Sequence, residues 1–298
     1  MREETDPARR QTSWDQLEAS PVGLVVASTW PRSDDDLRHA AANRLMEEQM
    51  ALYAAHCSET TGWRLVRGSR DLSAVRSGSV RGVVVHVEGL YRFEDGGFEM
   101  LERWHEMGWR SLGLVWNGAN SLGGGCAREE PGLSRTGGDV LRWAQEHGVL
   151  VDLAHMNEST FWGTLAATDG PVVASHANAR ALCRHPRNLT DGQLRAIGER
   201  GGVVGVVALP RFVRRFRSSV KRLAQHAEHI ASVAGPDAVA IGTDFGGLGR
   251  STISGFASVD KAGALIDELR TRGWDSDALE KISWRNAFRV LDAVLNPG

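Results

Sequence analysis

The chain has 298 residues, 42% of them hydrophobic, and a formal net charge of −2. That length suits one large barrel or two smaller domains, and the near-balanced charge excludes a protein that holds nucleic acid mainly by electrostatics. No apolar run is long enough for a membrane span, and the polar start MREETDPARRQTSWDQLEAS lacks the apolar segment of a secretory signal.

Taken in chain order, residues 1–20 read as an irregular N-terminal arm and 21–298 as one domain. Short β-branched runs then alternate with longer segments of helical periodicity. The runs lie at 22–28, 82–89, 111–117, 149–155, 171–176, 202–209 and 238–245. The helical segments lie at 35–56, 97–107, 137–147, 157–167, 191–199 and 219–233, with 259–272 and 276–294 after the last run. Most runs are apolar on both faces, as parallel strands covered by helices are. Gly108, Gly148, Gly201 and Gly235 each stand where a helix-ending glycine precedes a strand. The alternation predicts an α/β fold with a parallel sheet. No G-x-G-x-x-G follows the first run, so a dinucleotide site is not expected. A closed β/α barrel has eight strands, and seven runs are found. The expected fold is therefore a TIM-type (β/α) barrel with its first strand missing. The three cysteines, Cys57, Cys126 and Cys183, are an odd number without metal-ligand spacing. They read as free thiols in a reducing compartment, which places the protein in the cytoplasm.

In such a barrel the chemistry gathers at the C-terminal ends of the strands. There the runs deliver His86 and Glu88, Trp116 and Asn117, Asp152 and His155, Ser175 and His176, and Thr243 and Asp244. Glu88 asks for an explanation, because a glutamate among valines needs a partner. Glutamate, two histidines and aspartate at four strand mouths form a donor set for a divalent metal such as zinc. On spacing alone, two readings stay open: a metal centre, or a set of hydrogen-bonded strand ends. Asp152 has a structural reading and Asp244 a turn-capping one. The basic stretch RFVRRFRSSVKR (211–222) reads as a solvated loop and helix start, or as a docking place for an anionic substrate or partner.

The segments VHVEGL, LVDLAHMNESTFW, VVASHANARALCRHPRNLTDGQLRAIGERGGVVGV and AVAIGTDFGG resemble the membrane (renal) dipeptidase family of zinc metallopeptidases. The resemblance runs from about residue 17 to the C-terminus. It implies a β/α barrel related to the amidohydrolases, dipeptide cleavage at a two-metal site, and a homodimer. Position by position, Glu88 matches the carboxylate that bridges both metals. His155 and His176 match the two histidines of one metal. Asp244 matches the aspartate near the other metal that serves in proton transfer. Arg187 matches the arginine that holds the substrate carboxylate, a role suited to a planar bidentate donor. Trp116 and Asn117 join it as expected substrate-binding residues.

Three departures bear on activity. The family's H-x-D motif, two ligands of the second metal, occurs nowhere in the chain. Trp116 stands where a histidine contacts the reacting carbonyl, and Gly246 replaces the second aspartate of DFDG. His86 reads either as a partial substitute ligand or as a structural residue. The resemblance implies a metal-dependent, dipeptidase-like hydrolase acting on a dipeptide or related small amide through a metal-activated water. Glu88 and Asp244 would be catalytic. One zinc per chain would sit on Glu88, His155, His176 and Asp244, and a second metal lacks two of its ligands. The alternative is a non-catalytic, metal-depleted homologue that binds a small molecule or serves as an accessory protein. Neither nucleic acid nor membrane is an expected partner.

Overall fold

The structure is a computed structural model that describes residues 11–31 and 41–295. Its strands are β1 (Leu24–Thr29), β2 (Trp63–Leu65), β3 (Arg81–Glu88), β4 (Trp109–Gly113), β5 (Leu150–Asp152), β6 (Val173–Ala174), β7 (Val203–Val206) and β8 (Val239–Ile241). Each of the seven predicted runs holds one strand. β2 was not foreseen, because three residues are too few to show a period.

The chain divides into two compact units. The first is Gly23–Gly170 with the C-terminal residues from Leu291. Its sheet order is β1-β3-β4-β5, and β2 lies beside the start of β3. All pairings are parallel, with Val25 opposite Val83, Leu65 opposite Val83, Glu88 opposite Gly113 and Gly113 opposite Asp152. This register sets the ends of β3, β4 and β5 level. Val83, Val84, Val85 and Val87 are all buried, so β3 is covered on both faces, as its valine-rich run predicted. Each buried valine contributes about 1.5–3 kcal/mol relative to an exposed one. That burial fixes the strand whose last residue is Glu88.

Between the strands run the helices Ala42–His56, Ser69–Arg76, Gly97–Met107, Arg135–Glu146 and Glu158–Ala167. Part of the predicted helix 35–56 lies outside the described residues. The helix Gly97–Met107 stops at Gly108, which adopts a left-handed φ of 106°. A Cβ there would lie 2.4 Å from the Leu65 side chain, so glycine is required both by conformation and by space.

The second unit comprises Pro171–Val290 and the described residues up to Val22. β6, β7 and β8 pair in parallel, with Val173 opposite Val203 and Val206 opposite Ile241. Its principal helices are Asp191–Glu199, Val220–Ala234, Gly263–Thr271 and Ser276–Glu280. Within the predicted N-terminal arm, Trp14–Glu18 form a short helix capped by Ser13. No strand precedes Leu24 among the described residues. No helix among them is long and apolar enough to cross a membrane.

Candidate functional site

The first unit supplies site residues from the ends of β3 and β5. At the end of β5, Asp152 Oδ1 accepts the Ala154 backbone N–H at 2.9 Å and turns the chain. His155 then takes a left-handed φ of 69°, a conformation uncommon outside glycine. Its carbonyl accepts the Cys126 N–H at 2.7 Å. Asn157 caps the following helix by accepting the Thr160 N–H at 2.7 Å. These contacts hold the turn and bring His155 Nε2 to 2.8 Å from Glu88 Oε1. The glutamate among valines therefore faces a histidine nitrogen.

Asn117 and Trp116, both expected to bind substrate, have separate places. Asn117 Oδ1 lies 2.9 Å from His155 Nδ1 and accepts from the Cys126 thiol at 3.2 Å. The carboxamide oxygen thus draws the His155 proton to Nδ1 and turns the other nitrogen toward Glu88. Metal-binding histidines are oriented in this way. The Trp116 ring lies 5.6 Å from the His155 ring and 5.2 Å from that of Trp30. Both tryptophans are half-buried, so they wall this imidazole on one side. His86 Nδ1 is 2.9 Å from Ser111 Oγ, and Nε2 is 3.5 Å from Asp152 Oδ2. His86 and Asp152 are buried together, which fits the structural reading of both.

The second unit supplies His176, Arg187 and Asp244. The His176 ring is fixed by Ser175, whose Oγ lies 2.7 Å from Nδ1. Arg187 is buried. Its Nη2 donates to the His176 carbonyl at 3.3 Å, and its guanidinium sits 5.7 Å from the Phe212 ring centre. Asp244 has a left-handed φ of 59°, which its short polar side chain tolerates, and its carbonyl accepts the Gly247 N–H at 3.0 Å. A Cβ on Gly247 would fall 2.4 Å from Asp244 Oδ1, so the turn after the aspartate must be bare at that point. Gln11, a residue the sequence did not single out, secures this turn. Its Oε1 accepts the Gly246 N–H at 2.8 Å, and its Nε2 donates to the Gly249 carbonyl at 2.7 Å.

His185 reports the charge on this side. Burial, then Arg211, Arg187 and Arg180, push its pKa down to about 4. In that window the unfolded chain binds the proton more readily, so stability rises with pH from about 4 to about 6.5. An NMR titration should find His185 neutral down to about pH 4, and Arg211→Gln should move its midpoint upward. A midpoint near 6.5 in the wild type would contradict this electrostatic picture.

In the first unit Glu88 and His155 set a carboxylate oxygen and an imidazole nitrogen 2.8 Å apart, and in the second unit His176 offers a further imidazole held by Ser175. Asp244, expected in the same set, also stands in the second unit, at the turn before Gly247. Two imidazoles and a carboxylate suit zinc or a similar divalent ion. Both rings have the Nδ1 side engaged, by Asn117 and by Ser175, so the donor set fits a metal.

The chain is also similar to known proteins along most of its length. The family model "Membrane dipeptidase (Peptidase family M19)" matches residues 2–296. A protein of Klebsiella pneumoniae, described as uncharacterized in the pqqA 5′ region, is 36% identical over 265 residues, which are 84% of this chain and 96% of that one. The crystal structure of a metallopeptidase described as dipeptidase AC superposes with a TM-score of 0.88 at 23% identity, covering 98% of this chain and 91% of its own. A metallopeptidase from Rhodobacter sphaeroides, liganded with a phosphinate mimic of the dipeptide L-Ala-D-Ala, gives 0.85 at 22% identity, covering 96% of this chain and 90% of its own. These likenesses show the fold to be the expected β/α-barrel type.

Proposed function

The chain belongs to the membrane dipeptidase family, and from that premise we propose that it is a metal-dependent hydrolase of dipeptides or closely related small amides. The observation that carries this reading is the Glu88 carboxylate facing the His155 imidazole, whose other nitrogen is held by Asn117. When bound there, a divalent metal supplies Lewis acidity, polarising the scissile carbonyl and acidifying a water. Zinc is the metal of this proposal, one per chain.

The protein's own groups do the rest. Glu88 and the two histidines set the ion's position, and Asn117 keeps His155 in the tautomer that faces it. The guanidinium of Arg187 receives the substrate's terminal carboxylate. Asp244 takes the proton of the attacking water and delivers it to the leaving amine, so that the amide bond breaks to an acid and an amine. Trp116 and Trp30 exclude water from one side of the reacting centre.

The test is turnover of a dipeptide panel, including D-residues at the C-terminal position, with zinc supplied. Hydrolysis that depends on added metal supports the reading. Tight metal binding without hydrolysis of any member favours the non-catalytic alternative, to which the missing H-x-D and the exchange at Trp116 point.

The positioning role of Asn117 has its own consequence. Asn117→Ala should lower metal affinity about 10–100-fold, the usual cost of losing a residue that orients a ligand. Asn117→Asp keeps an acceptor and should retain most of the affinity. If the alanine variant binds zinc as the wild type does, Asn117 is not holding the ligand.

A further inference from the structure

The basic stretch after β7 has a place of its own in the second unit. Its first turn is anchored from below. Asn188, fully buried, donates to the Phe212 carbonyl at 2.8 Å, and the buried His226 lies 2.8 Å from the Val213 carbonyl through Nε2. Beyond these anchors the chain carries Arg214, Arg215 and Arg217 in quick succession. With Arg211 and the turn Gly247–Leu248–Gly249 they line a cavity of about 390 Å³.

Two features bear on this cavity. Among the described residues, Arg211, Arg214, Arg215 and Arg217 form no ion pair with a carboxylate, a property they share with other arginines such as Arg64 and Arg195, but these four line one hollow. Four like charges around one hollow repel one another and draw in an anion. Arg217 also holds a φ of 56°, and the other non-glycine residues with positive φ among those described are His155 and Asp244. Strain of this kind persists where the surrounding structure enforces it, and it clusters at functional sites.

The cavity adjoins Asp244. Gly247 lines it and is the residue whose missing Cβ leaves room for Asp244 Oδ1. Its volume suits a small organic molecule and exceeds the needs of a single inorganic anion. Several separate guanidinium forks call for several separate carboxylates.

We propose that this cavity binds a small organic anion bearing two or more carboxylates. Resting on the hydrolase reading above, the acidic part of the substrate is what docks here.

Calorimetry on the full chain tests the site directly, with tricarballylate and inorganic phosphate as probes. Tricarballylate should bind the wild type, and the double variant Arg214→Gln/Arg217→Gln should bind it at least about 10-fold more weakly, as expected for lost charge-assisted contacts. Arg142→Gln removes the same charge from an ion-paired surface residue and should leave binding as it was. Bound tricarballylate should also raise the His185 titration midpoint in the wild type, a change that a merely structural role for the arginines would not produce. No binding, phosphate binding more tightly than tricarballylate, or equal weakening by Arg142→Gln would each overturn the site. In turnover, the kcat/KM ratio of Ala-Glu to Ala-Gln should exceed one and fall toward one in the double variant. If neutral dipeptides are cleaved but tricarballylate does not bind, the hydrolase reading stands and the cavity proposal falls. If tricarballylate binds and no dipeptide is cleaved, the site stands and the hydrolase reading falls.

Discussion

Asp244→Asn should lower kcat by about 10²–10⁴-fold, the range for loss of a general base. The substitution keeps the side chain's size, so the bare turn at Gly247 and the Gln11 clamp on Gly246 and Gly249 should survive. Asparagine also tolerates the left-handed backbone that Asp244 adopts. Metal content should stay at the wild-type level, because the proposed zinc ligands are Glu88, His155 and His176. The measurement is single-turnover hydrolysis beside metal analysis of the same samples. Equal rates in wild type and variant would remove Asp244 from the chemistry. A slow variant that has also lost its metal would make it a ligand instead.

Arg187→Ala should act on binding. It deletes a charge-assisted, bidentate contact to the substrate carboxylate, worth about 1.5–3 kcal/mol. Where chemistry is slow relative to dissociation, the loss appears mainly as a raised KM. Arg187 also donates to the His176 carbonyl, so alanine removes a support from the segment that carries a proposed ligand. Arg187→Lys separates the two effects. A lysine keeps the charge but loses the fork, so KM should rise less than in the alanine variant while metal content stays unchanged. If both variants lose kcat and leave KM alone, the substrate carboxylate is held elsewhere.

Much of this architecture was legible in the sequence, for a physical reason. A strand buried on both faces reads as a near-continuous apolar run, so most of the eight strands among the described residues stood out as β-branched runs, and β1 did so by composition although Val26 on it is exposed. Glu88 was conspicuous because a carboxylate at the end of such a run cannot stay unpartnered. His155 and His176 were singled out by their position at strand ends and by the family motifs around them.

What stayed hidden depends on contacts that no local pattern carries. Gln11 reaches a turn 235 residues further along the chain. Asn117 stands at a strand mouth, which marked it as a substrate contact, and its 2.9 Å approach to His155 Nδ1 is a tertiary contact that no local pattern shows. The left-handed backbone of His155 could not be foreseen, since histidine does not mark such a turn as glycine does. The basic stretch was visible as charge, but its gathering around one cavity follows from the anchoring of Phe212 and Val213.

If Glu88, His155 and His176 hold the metal of a metal-dependent dipeptidase, as proposed, turnover must follow metal occupancy. The most direct measurement strips the protein of metal with a chelator, then titrates zinc back while following both bound metal and dipeptide hydrolysis. The expected result is no turnover after stripping, then a rise that levels off at about one zinc per chain, the number that one three-ligand site holds. Turnover that survives complete stripping, or zinc that fills the site without hydrolysis of any dipeptide, would contradict it.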